Sequence, residues 1–174
     1  MDLDSLQIEH VSASDCICET PSFSADGKCV VYVSRKRTAP SSANAVFLRT
    51  LEGNKTVQLT EGVDGSDRAP AFSTDGSRIV FARAHRRRPY SMGGEIWDEW
   101  DIYVMDKDGM NARRVTNRRY RSIDRMRFIS EGQEVVFSAG TGGRAPNVAF
   151  VVKANGSEQP IPLGGSPGSG APFA

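Results

Sequence analysis

Apolar and polar positions along the chain fall into three similar units. The first reads Pro21, Phe23, Asp26, Gly27, then the apolar run Val30–Val33. The second reads Pro70, Phe72, Asp75, Gly76, then Ile79–Ala82; the third reads Met126, Phe128, Glu131, Gly132, then Val135–Ser138. Each unit goes on through a polar stretch to a second apolar run: Val46–Leu48, Ile102–Met105 or Val148–Val152. A turn follows at Glu52–Asn54, Lys107–Gly109 or Asn155–Gly156, and the unit closes on Val57–Thr60, Arg114–Thr116 or Pro160–Leu163. Asp-Gly and Asn-Gly steps between apolar runs are hairpin turns, because glycine takes the positive φ that such turns need. Four short strands per unit, joined by turns, make an antiparallel meander. The second and third strands are apolar at successive positions, which predicts burial on both faces. A four-stranded sheet buried on both faces stacks between similar sheets, and radial stacking of such sheets is a propeller. The expected fold is therefore all-β: a partial β-propeller of about three four-stranded antiparallel blades.

The boundaries that follow are an N-terminal extension or strand of a neighbouring blade at 1–14, blades at 15–60, 61–116 and 117–163, and a flexible tail at 164–174. The tail's Gly, Ser and Pro content is that of a linker. All three units spend their extra length between the second and third strands, at about 34–44, 83–100 and 138–147. In a meander blade these loops share a rim with the connections to the next blade, at 60–68 and 117–124.

These residues resemble the TolB-like, or PD40, propeller repeat, whose unit runs roughly Pro-x-Phe-Ser-Pro-Asp-Gly, an apolar strand, Asp-Ile-Tyr-Val-Met-Asp, a glycine turn and Leu-Thr. The match is closest through Pro70–Phe81 and Asp101–Thr116 and extends over about residues 15–163. In the third unit Met126 replaces the proline and Glu131 the aspartate. The resemblance implies a ring of six blades, twice what this chain holds. Two closures are open: a homodimer completing the ring, or a longer propeller of which this chain is a piece. Trp97-Asp98 and Trp100-Asp101 are not the Trp-Asp signature of WD40 blades, since no Gly-His partner precedes them.

Composition excludes several classes of function. Charged residues are 25% of the 174 and the net charge is +1, so no phosphate-binding electrostatic footprint is expected and nucleic acid is not an expected partner. No apolar run is long enough for a membrane-spanning helix. Residues Met1–Ser5 have neither the basic nor the apolar region of a secretory signal. The compartment expected by default is cytoplasmic, or periplasmic if the chain is cut from a larger exported protein. Cys16, Cys18 and Cys29 are too few, and odd in number, for a disulfide framework.

Catalytic sets are hard to find. His10 and His85 are the two histidines and neither stands in a metal-ligand spacing. No Gly-x-Ser-x-Gly elbow, dinucleotide fingerprint or phosphate loop is present. Asp106, Asp108 and Asn111 near Gly109 depart from calcium-loop spacing and read as a turn. No catalytic residue, metal or cofactor is expected, and the chain is read as a non-enzyme.

The middle insertion stands out. It carries Arg86, Arg87, Arg88 and Tyr90, then Trp97, Asp98 and Trp100, with Arg118 and Arg119 as expected rim neighbours. Trp, Tyr and Arg are the types that anchor interfaces. Two readings stand side by side. One is a rim that binds a protein or peptide, or alternatively an anionic sugar or peptide as in the regulatory propeller of a hydrolase. The other is a balanced solvated loop in which the arginines pair with Glu95, Asp98 and Glu99.

Overall fold

A computed structural model describes residues 14–38, 43–63, 65–89, 95–140 and 146–164. Three four-stranded antiparallel sheets follow one another along the chain, each a simple meander. The first holds β1 (Cys16–Phe23), β2 (Cys29–Lys36), β3 (Ala45–Thr50) and β4 (Lys55–Gln58). The second holds β5 (Ser66–Phe72), β6 (Arg78–Pro89), β7 (Glu95–Asp106) and β8 (Arg113–Arg114). The third holds β9 (Ser122–Ile129), β10 (Glu134–Gly140), β11 (Val148–Lys153) and β12 (Ile161–Pro162).

Local chemistry explains the first turns. Ser24 Oγ donates to Asp26 Oδ1 at 2.6 Å, Asp26 Oδ1 accepts the Lys28 amide, and Ser24 Oγ accepts the Cys29 amide. Ser73, Asp75, Ser77 and Arg78 repeat the arrangement in the second sheet. Gly27 and Gly76 both sit at φ 69°, where a side chain is strained. In the third unit, Glu131 cannot close this short Asx turn. The chain instead takes a tighter path with Ser130 and Glu131 at φ 50° and 54°, capped by the Gln133 amide on the Ser130 carbonyl.

Each sheet buries its apolar side chains against the next. Cys29, Val31, Val33 and Val46 meet Phe72, Ile79, Phe81 and Met105 between the first and second sheets. Val80, Ala82, Ala84, Ile102 and Val104 meet Ile123, Met126, Phe128, Val135, Phe137 and Phe150 between the second and third. The central sheet thus lends alternate residues of β6 to two cores. Removing a fully buried ring such as Phe81 costs about 3–5 kcal/mol.

Two expectations need correction. Burial on both faces holds for β2 and for much of β6, but β10 and β11 alternate instead. Among the described residues no sheet lies over the outer face of the third, so Val136 and Val151 stay partly open while Val135 and Val152 are buried. The middle insertion is also not a loop. β6 runs to Pro89 and β7 starts at Glu95, so most of residues 83–100 is a two-stranded hairpin, paired from Arg78↔Asp106 out to Pro89↔Glu95. Cross-strand charge pairs hold the extension together.

Candidate functional site

Backbone hydrogen bonds join the first two insertions to the connections between sheets. The Asp67 amide donates to the Asn44 carbonyl at 2.9 Å, tying the first insertion to the connection between the first two sheets. Trp100 and Tyr120 exchange backbone hydrogen bonds at 2.7 and 2.8 Å, tying the hairpin base to the connection toward the third.

Along the hairpin, Arg86 pairs with Glu99 at 3.1 Å, Arg87 with Glu95 at 2.6 Å and Arg88 with Asp98 at 2.5 Å. Arg119 joins Glu99 from the other side at 3.0 Å. Partial burial pushes the Asp98 carboxyl up, but the Arg88 hydrogen bond, the Glu99 amide and the nearby arginine charges together outweigh this and leave it below the usual carboxylate range. The Arg87 guanidinium lies 5.8 Å from the centre of the Trp97 ring. The three arginines are therefore each partnered by a carboxylate. The pairing of the balanced reading is what the structure shows, although on paired strands.

The other predicted residues divide. Trp100 is only 7% exposed and belongs to the core between the second and third sheets, with Arg68 stacked over it at 5.1 Å. Its ring is held by that core and is withdrawn from the exposed rim. Arg118 is exposed and makes no ion pair among the described residues; its backbone amide donates to Asp101 Oδ1 at 2.9 Å. Tyr90 and His10 lie outside the described residues.

Beneath the hairpin sits a layer that sequence reasoning missed. Asp67, Arg83 and Asp101 stand in register across β5, β6 and β7. Both aspartates are fully buried. Arg83 grips Asp67 with two hydrogen bonds, 2.7 and 2.9 Å, and its guanidinium covers the rings of Phe81 and Tyr103. Asp101 accepts from the Arg114 guanidinium, from Thr116 Oγ1 at 2.7 Å and from the amides of Arg118 and Arg119. Thr60 and Thr116 play equivalent parts: each hydroxyl donates to a buried aspartate and accepts the first amide of a third strand's apolar run, Val46 or Ile102. The closing threonine of the first two units is the signal that could have found this layer. Gly65 seals it, since a Cβ there would lie 2.0 Å from the Ala84 carbonyl oxygen.

His85 lies on β6 rather than in a solvated loop, with Nε2 3.7 Å from Asp101 Oδ2. Burial first, then the nearby Arg114, holds its pKa below the usual imidazole range, so it is neutral at pH 7. Burial pushes the Asp67 carboxyl up against the pull of Arg83. Asp106, Asp108 and Asn111 spend their polar atoms on the turn: Asn111 donates to Asp106, and Asp108 accepts the Met110 amide. Among the described residues no group of three or more His, Cys, Asp or Glu is placed to hold a metal ion, and no helix is long and apolar enough to cross a membrane.

Three meander sheets stacked face to face, each with its first strand innermost, define the chain as a β-propeller module. The blades have the TolB-like fold. TolB from Acinetobacter baumannii superposes with a TM-score of 0.65 at 24% identity, over 94% of this chain and 37% of that one. The β-propeller domain of the trilobed protease from Pyrococcus furiosus superposes at 0.54 with 15% identity, over 86% of this chain and 43% of that domain's chain. In sequence, dipeptidyl-peptidase 5 of Porphyromonas endodontalis is 36% identical over 81 residues, 44% of this chain and 11% of the enzyme. The chain spans about a tenth of the length of the curated relatives it matches. No family model matches it.

Proposed function

We propose that this chain is a non-catalytic propeller module that binds a protein or peptide through its long-loop rim, with the β6–β7 hairpin as the binding arm. The observation that carries the reading is the hairpin itself. It prolongs two core strands out to Pro89 and Glu95 and presents the exposed Arg86 and Arg87 on a paired-strand base, with the half-buried Trp97 packed beneath Arg87. Its charges of both signs are already matched. Such a surface suits a partner that also carries both signs, because ion pairs are exchanged on docking rather than stripped of water and left alone. The experiment replaces Arg86–Asp98 with a two-residue Asn-Gly turn and probes both proteins on an array of random peptides. Loss of the bound peptides with unchanged β-sheet circular dichroism supports the rim. Retention of the same peptides rejects it.

A second reading is favoured by the sequence match to dipeptidyl-peptidase 5. Here the chain is the propeller of a larger hydrolase and recognises an anionic sugar or acidic peptide through the same arginines. A salt-sensitive thermal shift with acidic oligosaccharides, abolished by the triple change of Arg86, Arg87 and Arg88 to alanine, is its signature. The carboxylate beside each of these arginines weighs against it.

A further inference from the structure

The inner strands β1, β5 and β9 line a groove of about 710 Å³ that none of the hairpin residues borders. Each is the edge of its sheet among the described residues, so alternate backbone amides and carbonyls face the groove without a strand partner there. Two of the edges are blunted in the same way. Thr20–Pro21 and Ala69–Pro70 bulge out of register opposite β2 and β6, with Thr20 and Ala69 at φ 51° and 49°. Proline has no amide hydrogen to offer and breaks the edge. Met126 stands at the equivalent place in β9 and pairs regularly with Phe137, which moves the bulge one residue back to Asp124–Arg125. From Met126 to Ile129 the edge of β9 is unbroken.

The side chains on this edge are as distinctive as its backbone. Met126 and Phe128 turn into the core, whereas Arg125 and Arg127 are exposed and make no ion pair among the described residues. Asp124, the acid beside them, is engaged by Asn147 and by Arg68 at 3.8 Å. Across the groove, Phe23 is 63% exposed, alongside Pro21.

We propose that β9 accepts an extended acidic peptide as an added strand. Its backbone pairs with the open edge from Met126 to Ile129, carboxylates at alternate positions meet Arg125 and Arg127, and its apolar side chains face Phe23 and Pro21. Arg125, at the end of the bulge, and Arg127 flank the buried Met126 and are both exposed, so both cations stand beside the open edge, where alternate side chains of an added strand would lie. Strand addition at an open edge takes affinity from main-chain hydrogen bonds and selectivity from alternate side chains.

The test titrates the chain, and the variant lacking the hairpin arm, with fluorescent hexapeptides of alternating valine and glutamate or valine and lysine. Anisotropy is expected to show the glutamate peptide binding at least about tenfold more tightly than the lysine peptide, with the preference shrinking in high salt and surviving loss of the arm. Met126→Pro restores the block of the other two blades and is expected to abolish binding. The surface change Arg125→Glu with Arg127→Glu, which leaves the core untouched, is expected to reverse the preference. Equal binding of the two peptides, no binding of either, or an unchanged preference in the double glutamate variant overturns the proposal. So does full binding by a folded Met126→Pro protein. Loss of binding together with the arm assigns the peptide to the rim and also overturns it.

Discussion

The second sheet carries two sets of ion pairs at very different depth, one tying β6 to β5 and β7 to β8, the other running along the β6–β7 hairpin. Near the base, Arg83 holds Asp67 while Asp101 lies beside it, and both acids have no solvent exposure. Toward the tip, Arg86, Arg87 and Arg88 hold Glu99, Glu95 and Asp98 with at least one partner open to water in each case. The inner set stays buried because each carboxylate oxygen it desolvates has a donor: two bonds from Arg83, one from Arg114, hydroxyls from Thr60 and Thr116, backbone amides from Arg118 and Arg119. The outer set has water as its alternative partner and holds a shape rather than a fold. Depth separates an architectural charge from an adaptable one.

The largest effect that tests this contrast is expected at Arg83. Arg83→Met leaves Asp67 buried without a counter-charge and is expected to lower stability by about 3–5 kcal/mol in urea unfolding. The double change with Asp67→Asn is expected to recover much of that loss. A single change no worse than one in the hairpin would erase the contrast. Next comes Thr60→Val, which strips one hydrogen bond from Asp67 and one from the Val46 amide. Its expected cost is about 1–3 kcal/mol, read from the same unfolding curves. Arg88→Ala, at the 2.5 Å pair with Asp98, is expected to change stability by no more than about 1 kcal/mol. A larger loss would show that the hairpin is part of the cooperative fold.

The smallest effect concerns pH and opposes a turn carboxylate to a buried one. The hydrogen bonds of Ser73, and then of Ser77, hold Asp75 down at about 2 against an ordinary 3.8. The unfolded chain takes up that proton first as pH falls. The stabilisation is therefore complete above pH 3.8 and drains away toward pH 2. Asp67 runs the other way: its carboxyl is raised by burial, so its contribution is lost as pH rises through that raised value. Unfolding midpoints between pH 2 and 6 for Asp75→Ala are expected to fall less steeply with acid than those of the parent. For Asp67→Asn, the same series is expected to fall more steeply. Parallel curves would show that neither carboxylate is perturbed as its surroundings dictate.

Much of the fold was legible along the chain because its signals are local. Phe23, Phe72 and Phe128, the Asp-Gly turns and the paired apolar runs set strand number, meander order and sheet stacking. The looser third unit was legible too, since Glu131 for aspartate and Met126 for proline mark the places where its turn and its bulge depart from the others. The candidate site was half legible. Arg86, Arg87 and Arg88 and their partnering acids could be named, but their conformation could not. Charged residues at successive positions carry no strand periodicity, so a hairpin and a loop read alike. Trp100 looked like an interface anchor because a tryptophan beside acids gives no sign of which core will cover it.

Sequence alone determined the repeating sheet, because hairpin turns and apolar runs act over a few residues. Tertiary structure decided what the charges do. Asp67, Arg83 and Asp101 lie far apart in the chain and become one layer only when β5, β6 and β7 are in register under the first sheet. An ion pair's worth depends on how much water is left around it, and only the packed molecule sets that.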